Sequence, residues 1–219
     1  MGIWNQKASS NGGDFEVAPG GNHPAVLVGI IDLGTQENKF GNEVNMAHQV
    51  LLAWELTQEK KKDGSPFIVI RHYTASLNQK AALRNLIKTW RGKDLADGEE
   101  FDPRKMLGKP CLLSVINKES GGGNTYAKVE GVTAVPKGMV VGQAVTEPIS
   151  WAIGEGDYPN PAWMPYLIGK RVADVIQNSP EWKEWRYGPV DPPKGNTVPN
   201  AQGQFAEPEP DQAEEAIPF

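Results

Sequence analysis

The order in which the spacing of apolar residues changes along this chain constrains its fold most. Three strand-like segments come first, at 25–33, 48–57 and 66–74. The period then shifts from two to 3.6 over 76–90, and two more strand-like segments follow at 109–118 and 125–135. In the first, β-branched residues surround Gly29, which marks a bend or bulge. The second sets Val50, Leu52, Trp54 and Leu56 on one face, which makes Trp54 a core residue. The third sets Ile68, Ile70 and His72 opposite Phe67, Val69, Arg71 and Tyr73, with Phe67 directed to the core. The helix carries its apolar stripe on Leu83, Leu86, Ile87 and Trp90, with Ser76 as N-cap and Gly92 just past its end. A short helical turn is expected at 103–107. Polar residues at 35–47 and QEKKKDGS at 58–65 read as loops.

Three strands, a helix and a two-stranded hairpin make the chain mainly β. This is the connectivity of a five-stranded, OB-fold-like Greek-key barrel with a helix between strands 3 and 4. The expected organisation is a flexible N-terminal arm (1–21), the OB-like barrel (22–138), an aromatic, helical C-terminal extension packing on it (139–188), and a disordered linker with an acidic tip (189–219). A helix over 162–178, stopped by Ser179-Pro180, is expected in the extension. That segment can build a homodimer or simply cover the barrel.

Charge is segregated along the chain. The net −5 resides entirely in 200–219, where Glu207, Glu209, Asp211, Glu214 and Glu215 have no basic neighbour. Residues 60–137 hold 15 Lys and Arg against 8 Asp and Glu. A basic middle and an acidic tail separate two roles that the average charge conceals. The single Cys111 excludes a disulfide framework and a thiolate zinc cage, and its apolar strand makes it a buried thiol. No apolar run reaches the roughly 20 residues of a membrane helix, and no basic-then-apolar leader opens the chain. The expectation is a soluble, cytoplasmic protein.

No catalytic constellation emerges, so the chain reads as a non-enzyme without metal or cofactor. Asp94, Asp97, Glu99, Glu100 and Asp102 crowd one loop without acids paired on neighbouring strands. The three His lack ligand spacing, and Ser120-Gly-Gly-Gly-Asn124 lacks the Lys-Ser/Thr and helix of a phosphate loop.

What the barrel does offer is cations interleaved with rings, the combination that holds phosphates and stacks unpaired bases. On an OB layout, the face of strands 2 and 3 and its flanking loops would receive single-stranded DNA. The candidates are Lys39 and Phe40 in the first loop, Lys60, Lys61 and Lys62 in the next turn, and Arg71 and Tyr73 on strand 3. Lys118, Tyr126 and Lys128 stand around the last hairpin. Each has a plainer alternative: Lys60–62 as a solvated turn, Tyr126 and Lys128 as ordinary outward-facing residues.

The chain closes with DQAEEAIPF, in which Asp211, Glu214 and Glu215 precede Ile217, Pro218 and Phe219. This resembles the acidic tip of bacterial single-stranded DNA-binding proteins, which recruits replication, recombination and repair enzymes. A tethered aromatic beside carboxylates suits an apolar pocket with a basic rim. The body carries IIDLGTQ (30–36), WEL (54–56), HYTASLNQKAALR (72–84), WRGK (90–93), FDPRKMLGKPCLL (101–113), YAKVEGVTAVPKGM (126–139) and SPEW (179–182). In these it resembles a family of bacteriophage single-stranded DNA-binding or replication-associated proteins with OB-like domains. The resemblance implies binding with little sequence specificity during phage DNA replication and recombination, in the cytoplasm of an infected bacterial host. Two alternatives stay open: a protein-interaction factor that occupies host pockets for such tips, and a strand-annealing protein.

Overall fold

The computed structural model describes residues 16–40, 43–156 and 171–188. Its frame is a mainly β, six-stranded sheet in the order β3-β2-β1-β4-β5, with β6 attached to β1. The strands are β1 (Gly21–Phe40), β2 (Glu43–Lys60), β3 (Pro66–Thr74), β4 (Pro110–Glu119), β5 (Thr125–Thr133) and β6 (Ile149–Trp151). The first five pair antiparallel, whereas β6 runs parallel to β1. Helix α1 (Ala82–Arg91) joins β3 to β4 through a 3-10 turn at Pro103–Met106, and α2 (Val172–Gln177) and α3 (Pro180–Tyr187) close the described chain.

The near-continuous apolar sequence of β1 follows from its burial on both faces. Ala25, Leu27 and Ile30 enter one core with Leu52, Trp54 and Leu56 of β2, Phe67 and Val69 of β3, and the α1 stripe Leu83, Leu86, Ile87 and Trp90. Val26, Val28, Ile31 and Leu33 enter a second core on the opposite face. A register shift between Leu27 and Gly29 places the bend where Gly29 predicts it. Before the shift, β1 pairs with β4 over Gly21–Val26; after it, β6 pairs with Gly29–Ile31. The backbone edge that β4 leaves is thereby satisfied by a short parallel strand.

Several boundaries differ from expectation. The polar segment 35–47 is not a loop: β1 and β2 run on as a paired ribbon to Phe40↔Glu43. Its Thr, Gln, Glu and Asn residues hide the strand because cross-strand pairing of polar side chains leaves no apolar alternation. Helix α1 begins five residues later than expected, with Ala81 rather than Ser76 at its N-cap. The Ser76 hydroxyl instead accepts from the Asn78 amide at 3.3 Å, a local turn that competes with helix. Its C-cap is Gly92, at a left-handed φ of 68°. Ser179-Pro180 ends α2 and also starts α3: the Ser179 hydroxyl accepts from the Trp182 amide at 3.2 Å with proline in the first turn. The expected helix over 162–178 is described only from Val172, and the tail lies outside the described residues.

Candidate functional site: an uncovered β-hairpin face

The outer face of β2 and β3, the row of Ile68 and Ile70, is covered by the chain itself. Leu51 and Ala53 of β2 and Ile68 and Ile70 of β3 pack beneath Val141, Ala144, Trp151, Val172 and Ile176. Polar links pin this cover. Glu55, fully buried, accepts from the amides of Val145 at 3.0 Å and Thr146 at 2.8 Å. Asp32 accepts from the Ile153 amide at 3.3 Å, and the Gln36 side chain donates to the Val175 carbonyl at 3.0 Å. Trp182 of α3 stands between Trp151 and Trp185, with ring centroids 6.1 and 5.1 Å away.

A His and acid cluster that spacing did not reveal also belongs to this cover. The Nε2 of His48 lies 2.7 Å from Asp32 Oδ1, and its Nδ1 lies 3.4 Å from Glu181 Oε1. Glu181 also accepts from the Thr35 amide at 2.8 Å and from the Thr35 hydroxyl. Those Thr35 bonds hold its carboxyl below the usual range, although partial burial pushes the other way and is the largest single influence. The cluster ties α3 to β1 across the sequence. Beside it, a cleft of about 390 Å³ opens between Asp32, His48, Phe101, Arg104, Trp151 and Glu155. Arg104 is engaged there with Asp102 at 2.9 Å and Glu155 at 3.1 Å.

Arg71 and Tyr73 lie on the other row, and Tyr73 requires correction as a surface contact. They share the parity of Phe67 and Val69, which is the inner row. Tyr73 is 5% exposed, and burial pushes its phenol up to about 12, so its ring offers no face to a base. The Arg71 guanidinium lies 4.7 Å from the Tyr73 ring centroid and donates to the Val129 carbonyl at 2.8 Å, linking β3 to β5.

The remaining candidates do not form one cluster. Lys39 and Phe40 occupy the last rungs of the β1–β2 ribbon, opposite Val44 and Glu43. Lys60 ends β2, and Lys61 and Lys62 form the following turn, where the Lys62 amide donates to the Glu16 carboxylate at 3.0 Å. The 18 residues of β2 separate the two groups, roughly 55 Å along the strand at about 3.3 Å per residue. The tip residues Asp211, Glu214, Glu215, Ile217, Pro218 and Phe219 lie outside the described residues.

Three candidates do converge. In the β4–β5 hairpin Lys118 pairs directly with Tyr126, and Ile116 with Lys128, so period-two alternation puts all four on one face. The opposite row, Val115 and Val129, is buried in the core. Tyr126 is 43% exposed and Lys118 is exposed without a carboxylate within 4.0 Å among the described residues. Lys128 Nζ lies 3.4 Å from Glu130. The face offers one ring flanked by two cations.

The other sequence features resolve into structural roles. Asp94 pairs with Arg84 at 3.0 Å and Lys88 at 3.1 Å, and the hydrogen bond from Arg84 leads in holding its carboxyl down at about 2. Glu99 pairs with Arg91, and Asp102 caps the 3-10 turn through the Arg104 amide. Cys111 is buried, and burial raises its thiol pKa. Among the described residues, no group of three His, Cys, Asp or Glu side chains is placed to hold a metal, and no helix is long and apolar enough to cross a membrane. No protein-family model, curated protein or solved structure matches the chain.

Proposed function

We propose that this chain binds single-stranded DNA with little sequence specificity, through the outer face of the β4–β5 hairpin. Its context is phage DNA replication and recombination in the cytoplasm of a bacterial host. The observation that carries this reading is the Tyr126 ring set between Lys118 and Lys128 on an uncovered face. A ring stacks an unpaired base, and the two ammonium groups meet the phosphates on either side.

An OB-type Greek-key barrel is the frame that fits best. Its support is the strand order β3-β2-β1-β4-β5, the bulged β1 shared between both halves, and the Arg71 link from β3 to β5. The acidic segment around Asp211, Glu214 and Glu215, with Ile217, Pro218 and Phe219, serves to recruit replication and recombination proteins. It carries the uncompensated negative charge and has apolar residues at its end.

The test is anisotropy titration of labelled oligo(dT) against salt, followed by a strand-annealing assay. Binding is strongest near 50 mM salt and falls steeply as salt rises. Tyr126→Ala weakens it about 5- to 150-fold, the equivalent of about 1–3 kcal/mol for one stacked base. Absence of binding at about 50 mM salt refutes the proposal and leaves the protein-interaction alternative. Acceleration of annealing would move the function to strand pairing.

A further inference from the structure

β4 carries a second cationic, ring-bearing site at its other end. Gly92 ends α1 immediately after Arg91, and Gly108, at a φ of 73°, turns the chain from the 3-10 turn into β4. Between these reversals lies a cavity of about 310 Å³ lined by Trp90, Arg91, Phe101, Lys105, Met106 and Lys109. The Trp90 indole donates to the Pro110 carbonyl at 2.9 Å and fixes the end of α1 against the start of β4. Trp90 and Met106, 7% and 6% exposed, form an apolar floor. The Arg91 guanidinium lies 5.1 Å from the Phe101 ring centroid and 3.3 Å from Glu99. Lys105 and Lys109 are exposed, and neither has a carboxylate within 4.0 Å among the described residues.

A ligand for this cavity must be anionic where it meets the two free lysines, and flat or apolar where it meets Phe101 and the floor. A phosphate joined to a base satisfies both demands. We propose that this cavity takes one nucleotide of the same single strand that the β4–β5 hairpin holds, as a second anchor at the opposite end of β4. The proposal rests on the DNA-binding function above. β4 spans 10 residues, so the two anchors stand about 30 Å apart along it. That is the length of about nine stacked nucleotides at about 3.4 Å each. The outer row of β4 between them, Leu112, Ser114 and Ile116, faces away from the core that holds Trp90 and Met106, so the single strand turns around the start of β4 to reach the cavity; Gly131, opposite Ser114, has open space where a side chain would stand.

The test compares Lys105→Ala/Lys109→Ala with Lys118→Ala/Lys128→Ala on (dT)20, by anisotropy against salt. Each lost phosphate contact lowers the salt slope by about 0.7. The first variant therefore loses about 1.4 of slope, equivalent to about 60-fold in affinity at 50 mM salt and about 14-fold at 150 mM. Photo-crosslinking of 5-iodouracil-substituted (dT)20 to the unaltered protein should label Phe101, independently of any variant. Unchanged slope in Lys105→Ala/Lys109→Ala, with loss in Lys118→Ala/Lys128→Ala and no label on Phe101, overturns the second anchor and leaves the hairpin function standing. No binding of (dT)20 by the unaltered protein removes the function itself. If DNA leaves the cavity unlabelled while a labelled 205–219 peptide binds there and is lost in Lys105→Ala/Lys109→Ala, the cavity is a peptide site and the proposal fails.

Discussion

Glu55→Ala should release the 141–146 stretch of the cover over the β1–β2–β3 face while leaving the sheet intact. Glu55 sits mid-strand in β2, fully buried, and each carboxylate oxygen accepts one amide, from Val145 and from Thr146. No Lys or Arg lies within 4.0 Å of it among the described residues, so these amides are its partners. A hydrogen bond to a charged acceptor is worth about 1.5–3 kcal/mol, so both together would cost about 3–6 kcal/mol if the segment stayed in place. It need not stay, because Val145 is 70% exposed and the freed amides can reach water by a local lift. The loss is then limited to the partial burial of Val141 and Ala144, about 2–3 kcal/mol. The expected cost is therefore about 2–4 kcal/mol by urea denaturation, and about half of that for Glu55→Gln, which keeps one acceptor. Amide exchange separates this from general loosening. Val145 and Thr146 lie outside every helix and strand, yet their amides should be protected in the parent protein. In Glu55→Ala they should exchange freely while Ile31 and Leu51 remain protected. A cost under about 0.5 kcal/mol, with protection of Val145 and Thr146 unchanged, would refute the reasoning.

Gly34→Ala should cost about 2–5 kcal/mol in thermal unfolding: Gly34 has a φ of +66°, and an added Cβ would meet Ser179 Cβ and Oγ at 2.5 Å. An unchanged melting temperature would show that α3 does not rest on this bulge of β1. Asp94 titrates near 2 rather than 3.8, so its stabilisation is present above about pH 4 and disappears as pH falls through about 2. Asp94→Asn should be less stable than the parent at pH 6 and equal to it below pH 2, and a gap that persists in acid would assign the effect elsewhere. Cys111 should resist thiol reagents until the protein unfolds, since burial both hides the thiol and raises its pKa, and Cys111→Ser should cost about 1–3 kcal/mol. Rapid labelling of the folded protein would contradict that burial. Deleting 200–219 removes the five uncompensated carboxylates and should tighten DNA binding at low salt; identical affinity would mean the segment does not compete with DNA.

Much of the fold was legible because burial and period agree locally. Leu52, Trp54 and Leu56 of β2 and the α1 stripe ending at Trp90 face the core as their spacing predicts. Gly29 marks the bulge and Gly92 ends α1. The ribbon at Thr35–Phe40 was illegible because polar pairs satisfy a sheet as well as apolar ones but leave no pattern. Tyr73 follows its row for a different reason: its parity with Phe67 indicates the core, while the OB layout alone puts it on the binding face. Arg71 tolerates that row because its guanidinium finds the Val129 carbonyl and the Tyr73 ring, partners contributed by β5 and by its own strand. The His48 cluster was invisible because Asp32 and Glu181 are 149 residues apart and meet only through the docking of α3.

The position of the uncovered face follows from the bulge in β1. Had β1 stayed regular beyond Leu27, β4 could have kept pairing along the same edge, and β6 would have had no backbone to join. The shift at Gly29 ends the β4 pairing at Val26, and β6 takes the vacated rungs through Ile149, Ser150 and Trp151. β6 then carries the rest of the extension over Leu51, Ala53, Ile68 and Ile70, an apolar surface without a cation to meet a phosphate. Cover and proposed binding surface are thus sorted by chemistry as well as by topology. The rows of β1, β2 and β3 that point away from α1 are mainly apolar, with Glu55 satisfied by the Val145 and Thr146 amides, and must be buried. The corresponding rows of β4 and β5 carry Lys118, Tyr126 and Lys128, which are stable in water and suited to a strand of unpaired bases.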